Sequence, residues 1–233
     1  MERFREFVAG TRKSCPDDDF FANFENNCRT PTVRKHYRCY NDALMTLDDE
    51  SWNILKQKAI NHFQNERDGQ RKQGFFNQLN EAFAYRYLLH QGFKYVRLIK
   101  EGKSKSPDIR FVDRGAKSYC EVKTVGISDD EIRRRAGGSV HDGAVYFALS
   151  TGFLDKLADD ITRAWKQIHS LGDNGLVFVL VQFDDLALDH YRRYRKQLTE
   201  FSQTRGLGNL ILKVGHRGNR RICIKPVDYR TRK

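Results

Sequence analysis

The chain has 233 residues, with 42 Lys and Arg against 30 Asp and Glu, a formal net charge of +12 and a sequence pI near 9.5. That length suits one large domain, or a core of about 150 residues with an extension, and it can bury a proper apolar interior without a disulfide framework. The basic excess favours a polyanionic partner, nucleic acid ahead of membrane, because no strongly amphipathic or lipidation-like segment accompanies it. There is no apolar run of transmembrane length, and Met1 to Glu6 leads into mixed sequence rather than a signal peptide, so an intracellular, cytoplasmic protein is expected. Five cysteines, an odd number without a secretory segment, suit a reducing compartment.

Residues 1–50 read as irregular. Cys15-Pro16-Asp17-Asp18-Asp19 and Thr30-Pro31-Thr32 interrupt any pattern, and Arg34-Lys35-His36-Tyr37-Arg38-Cys39 is a basic run. Cys15, Cys28, His36 and Cys39 supply the atoms for a Zn2+ site. The spacing counts against it: structural zinc sites usually contain a close cysteine pair, whereas Cys15 and Cys28 are 13 positions apart. Capping residues in Leu47-Asp48-Asp49-Glu50-Ser51 precede Trp52, Leu55, Ala59, Ile60 and Phe63, whose spacing predicts one amphipathic helix ending near Asp68-Gly69. A second helix is predicted over 74–90, with Phe75, Phe76, Leu79, Phe83, Tyr87 and Leu88 as a broad apolar stripe, Glu81 off its centre and Gly92 as its stop.

Strands follow at 93–99, at 108–113 and around Tyr119-Cys120-Glu121-Val122-Lys123, the last two joined by the turn chemistry of Asp113-Arg114-Gly115-Ala116. The basic, glycine-containing Arg133-Arg134-Arg135-Ala136-Gly137-Gly138 reads as a loop or short helix. Leu154, Leu157, Ile161, Ala164, Trp165, Ile168 and Leu171 predict a helix from Ser150-Thr151 to Gly172. Gly175-Leu176-Val177-Phe178-Val179-Leu180-Val181 is apolar at every position after the glycine, which predicts a central strand buried on both faces and entered by a parallel crossover. A further helix over 188–201 carries Tyr191-Arg192-Arg193-Tyr194-Arg195-Lys196, and strands at 209–214 and 221–225 make a terminal hairpin. Cys120 and Cys223 fall in apolar strands as small core residues.

The chemistry concentrates in Pro107-Asp108 and Glu121-Val122-Lys123. Alternation puts Glu121 and Lys123 on one face of their strand and Val122 on the other, toward the core. A hairpin running out from Asp108 and back to Glu121 would bring the two carboxylates side by side, an arrangement that suits a hard cation such as Mg2+. The Lys123 ammonium alongside supplies the charge that a phosphodiester transition state needs. Each residue also has an ordinary explanation. Asp108 can follow a turn proline at a strand start, Glu121 and Lys123 can be a solvated cross-strand pair, and Glu81 can be a helix former facing water.

These residues, in the order helix, strand, Pro-Asp strand, Glu-x-Lys strand, helix, resemble the PD-(D/E)XK nuclease superfamily over roughly residues 73–183. The resemblance implies an α/β fold with a mixed central sheet flanked by helices, a restriction-endonuclease-like core at 71–233 and an N-terminal extension at 1–70. It implies a metal-dependent nuclease acting on DNA, in a restriction-like, repair or mobile-element role. Asp108, Glu121 and the backbone carbonyl of Val122 would hold Mg2+ or Mn2+. Lys123 would orient the attacking water, and Glu81 would be a supporting helix acid. The expected products are a 5′-phosphate and a 3′-hydroxyl, and many relatives cut as a homodimer. Arg133, Arg134, Arg135, Arg192 and Arg195 are candidates for phosphate contacts, and Tyr191 and Tyr194 for stacking on bases. The alternative is a non-catalytic nucleic-acid-binding module on the same fold.

Overall fold

Aromatic side chains at helical spacing organise the N-terminal part of the chain from its first residues. Helix α1, Glu2–Ser14, buries Phe4, Phe7, Val8 and Thr11 along one stripe. A single helical turn, α2, Phe24–Asn27, follows, and α3, Pro31–Leu44, begins with proline at its first position, where a missing N–H costs no hydrogen bond. The expectation that residues 1–50 are irregular is therefore corrected: Pro31 starts a helix instead of breaking one. Phe4 stacks on Phe24 at 5.7 Å between ring centroids and lies 4.8 Å from Tyr37.

Helix α4, Asp49–Asn61, starts as predicted at Asp48, whose side chain accepts a 2.8 Å hydrogen bond from the Ser51 amide. Helix α5, Gln73–His90, buries almost every residue from Phe75 to Leu88 and packs on α3 and α4. Its entry is tight. A Cβ at Gly74 would lie 2.6 Å from Asn65 Cβ and 2.7 Å from the His62 carbonyl oxygen, so glycine lets α5 begin against the end of α4. Strands β1, Lys94–Leu98, and β2, Ile109–Asp113, are antiparallel, with Leu98 opposite Ile109. Arg114 and Gly115, at φ 50° and 82°, then make the left-handed turn that two-residue hairpins use.

Asp48 ties these elements together. Besides capping α4 it accepts from the Tyr85 hydroxyl of α5 at 2.9 Å and pairs with the Arg97 guanidinium of β1 at 2.6 Å. The Ser51 hydroxyl accepts from the Leu98 amide at 3.1 Å. Burial alone would raise the Asp48 pKa, but the Ser51 amide, the Tyr85 hydroxyl and Arg97 together hold it below the usual aspartate range.

The later elements are β3, Ala116–Val125; α6, Thr151–His169; β4, Gly175–Gln182; α7, Tyr191–Thr204; β5, Leu210–His216; and β6, Asn219–Ile224. β3, β4 and β5 are mutually parallel in that order and β6 is antiparallel to β5, so the sheet is mixed. Leu176 to Val181 of β4 are all buried, as the unbroken apolar run predicts for a strand covered on both faces. α6 packs on β4 through Leu157, Ile161, Ala164 and Ile168, and α7 packs on β6. The α/β class with a mixed sheet flanked by helices is as expected. Val122, expected in the core, is only half-buried, whereas Glu121 is buried.

This computed structural model describes residues 1–66, 71–102, 105–126, 137, 147–182, 190–204, 210–216 and 219–224, with the backbone alone for Gln182, Tyr191 and 213–224. The chain divides into two compact units, Met1–Ser104 with Asp108–Lys117, and Lys105–Pro107 with Ser118–Lys233. Among the described residues no helix is long and apolar enough to cross a membrane.

Two stability tests arise from these contacts. A Cβ at Gly175 would lie 2.4 Å from the Tyr119 carbonyl oxygen and 2.8 Å from Ile168 Cγ2. Gly175→Ala should therefore cost about 1–3 kcal/mol through overpacking, read from the midpoint of urea unfolding. Asp48→Ala should cost about 1–2 kcal/mol through loss of the cap and its partners. Because the folded carboxyl titrates below its unfolded value, this contribution is fully present above about pH 4 and is lost as pH falls through the lower folded pKa. The parent and Asp48→Ala stability curves should accordingly converge in acid.

Candidate functional site

In the first unit the sequence of contacts that places Asp108 begins on α4. Ser51 holds the Leu98 amide, Leu98 pairs with Ile109, and the Ile99 amide donates to the Asp108 carbonyl oxygen at 2.8 Å. Asp108 is thus fixed at the mouth of β2 by backbone bonds. Two turns further along α4, Lys58 sends its ammonium to three carboxylates. Nζ lies 2.6 Å from Glu81 Oε1, 3.2 Å from Asp108 Oδ1 and 3.0 Å from Glu101 Oε1. The Lys58, Glu81 and Asp108 side chains are 9%, 7% and 14% exposed, so three charges are held nearly out of water, whereas Glu101 is 59% exposed. Burial would push the Lys58 pKa down, yet the Glu81 and Asp108 charges and the hydrogen bonds to Glu81 and Glu101 hold it above the usual lysine range.

Glu81 is therefore not a solvent-facing helix residue. It comes from α5, where nearly all the neighbouring side chains are apolar and buried, and its carboxylate reaches the same ammonium as Asp108. The fit of a hard cation to this pair can be judged from Lys58 itself: an ammonium already stands between two carboxylate oxygens from different elements. Mg2+ commonly uses one or two protein carboxylates and keeps its remaining positions for water.

In the second unit Glu121 and Lys123 share a face of β3, as alternation requires, and Lys123 Nζ donates to Glu121 Oε1 at 2.6 Å. The same ammonium donates to Gln167 Oε1 on α6 at 2.9 Å, and Gln167 Nε2 reaches the Ser106 carbonyl at 3.4 Å. In register, Glu121 stands opposite Val177, Val122 opposite Phe178 and Lys123 opposite Val179, so the motif lies along the buried central strand. A carboxylate in that setting requires charge or hydrogen-bond partners, and the lysine provides one.

Sequence reasoning does not single out Lys58, and it leaves Lys166 and Gln167, on the helix after the motif, out of the site because a solvated helix face explains them equally well. The signal for Lys58 is positional. It follows Leu55 by three residues and Ser51 by seven, both fully buried, so it falls on the inward stripe of α4, where a lysine requires a partner. For Gln167 the cue is its place on the helix after the Glu-x-Lys strand, and its contact with Lys123 is what distinguishes it from a solvated helix residue.

Among the residues expected to meet nucleic acid, Arg192 and Arg195 are exposed on α7, together with Arg193 and Lys196. Tyr194 is buried at 3% exposure, which corrects the expectation that it stacks on bases. Arg133, Arg134, Arg135 and the side chain of Tyr191 lie outside the described residues. Among the described residues, which include Cys15, Cys28, His36 and Cys39, no group of three or more His, Cys, Asp or Glu is placed to hold a metal ion. The His36 ring instead packs near Tyr37, Tyr40 and Phe76.

Comparisons with family models, with curated proteins and with solved structures each return no match to this chain.

The buried ion pair sets a stability test. Lys58→Met leaves Glu81 and Asp108 without their ammonium and should cost about 3–5 kcal/mol in metal-free urea unfolding. Adding Glu81→Leu should recover part of that loss, so that the double variant is more stable than Lys58→Met alone.

Proposed function

We propose that the chain is a metal-dependent nuclease of the PD-(D/E)XK kind that hydrolyses phosphodiester bonds in DNA, in a restriction-like, repair or mobile-element role. The observation that carries this reading is the convergence of Glu81 from α5 and Asp108 from the mouth of β2 on a single buried cationic centre. Two carboxylate oxygens directed at one point from different elements are the kind of ligand a hard cation takes.

The sequence motif assigns Asp108, Glu121 and the Val122 carbonyl as holders of Mg2+ or Mn2+, with Glu81 in support; the chemistry such a cation supplies is a bound water of lowered pKa. Lys123 is a positioning residue for that water or a stabiliser of charge developing on the phosphate. Its partners suit this role, because Glu121 and Gln167 restrict an otherwise flexible side chain to one direction. Arg192 and Arg195 offer exposed guanidinium groups to phosphates, contacts that set position without reading sequence. The net charge of +12 adds a binding term that weakens as salt rises. Cutting both strands of a duplex calls for two copies of the site, and a homodimer belongs to the proposal in that sense.

A different observation favours the non-catalytic reading. Both carboxylate groups already hold a lysine, as an ordinary structural ion pair does.

Cleavage separates the two. Supercoiled plasmid, linear duplex and single-stranded DNA are incubated with the protein in Mg2+, Mn2+ or EDTA, alongside folded Asp108→Asn and Lys123→Met. Metal-dependent cutting that falls at least about a hundredfold in both variants, with DNA binding retained, is the expected result. Binding without cutting on every substrate and metal would favour the non-catalytic module, and cutting that survives both substitutions would place the chemistry elsewhere.

A further inference from the structure

Glu81 and Asp108 are nearly buried carboxylates, 7% and 14% exposed, and a charge on either would be strongly destabilising there without positive charge beside it. Lys58 supplies that charge through the same oxygens that a metal ion would use. Two cations cannot share those oxygens at close range without strong repulsion, so occupancy by one excludes the other. The third partner of Lys58 differs from the first two. Glu101 is 59% exposed, and its Oε1 is 3.0 Å from Nζ, so the ammonium keeps an acceptor at the surface when it leaves the interior. The lysine stem, with four rotatable carbons, allows that shift without movement of α4.

We propose that Lys58 is a resident counter-cation of the carboxylate site, which a divalent metal ion displaces from Glu81 and Asp108 onto Glu101. The inference rests on the metal-dependent reading of these two carboxylates. It assigns Lys58 a role that the motif does not contain: the site is folded and charge-balanced before metal arrives, and metal affinity is lowered by the contacts that must be broken. Glu101 is the acceptor that keeps the displacement affordable.

The test is Mn2+ binding by the full chain without DNA, followed by the electron paramagnetic resonance of free Mn2+ and by thermal unfolding with and without the ion. Lys58→Met should bind Mn2+ at least roughly tenfold more tightly than the parent, and its melting temperature should rise more on Mn2+ addition. Glu101→Gln alters an exposed side chain and should fold normally; it should bind Mn2+ several-fold more weakly, because the displaced ammonium loses its charged acceptor. Asp108→Asn should abolish binding in every background.

If Asp108→Asn abolishes binding but Lys58→Met binds no more tightly than the parent, displacement is overturned and the metal-dependent reading stands. If neither the parent nor Lys58→Met binds Mn2+, both fail together. Should Lys58→Met prove unable to fold even with Mn2+ present, the Glu101→Gln comparison decides: weaker binding supports the displacement, and unchanged binding overturns it.

Discussion

The Lys58 ammonium is the contact on which Glu81 and Asp108 depend, because two nearly buried carboxylates from different elements require a cation between them. α5 is buried on nearly every side, and it brings Glu81 into the interior along with Phe83, Tyr85 and Tyr87. The opposing demand, that apolar residues surround the helix while one charge stays satisfied, is met by a side chain from α4 long enough to reach across to Glu81 and Asp108. Burial weakens solvent competition for these oxygens, so each of the short contacts is worth more than an exposed pair of the same length.

α4 is also the element through which local chemistry becomes position. At its first turn, Asp48 and Ser51 collect an amide, a hydroxyl, a guanidinium and a strand N–H from three different elements. At its last turns Lys58 meets the carboxylates. Since an α-helix is stiff over such a length, the capping network at one end sets where the ammonium sits at the other. The second unit uses a different device. There the motif lies on a strand paired with a fully buried neighbour, and the backbone ladder, with Gln167 behind Lys123, takes the part that α4 plays in the first unit.

How much of this the residues announce depends on whether the signal is local. The cap at Asp48, the apolar stripe of α5, the unbroken run of β4 and the shared face of Glu121 and Lys123 are local patterns, and all are present in the structure. The helices of residues 1–50 were obscured because Pro31 has opposite meanings inside a helix and at its first position, and only the flanking structure distinguishes them. Val122 and Tyr194 misled for a related reason: alternation and composition give a direction, while the depth of burial depends on what packs above. Lys58 required knowledge of its partners, 23 and 50 positions away, which no local window supplies.

The close approach of Gly175 to the Tyr119 carbonyl sets the starting point of β4 against β3, and the Tyr119 amide completes the clamp by donating to the Asn174 carbonyl oxygen at 3.0 Å. The chain just before it is of another character: Leu171 and Asp173 are exposed, and α6 has already closed with the Gly172 amide on the Ile168 carbonyl. Strand pairing is thereby uncoupled from the length of this connection. Between Gly172 and Asp173 extra residues can loop outward into solvent while the ladder keeps its register, which makes that joint a natural place for inserted sequence, whether acquired in evolution or added as a spectroscopic label.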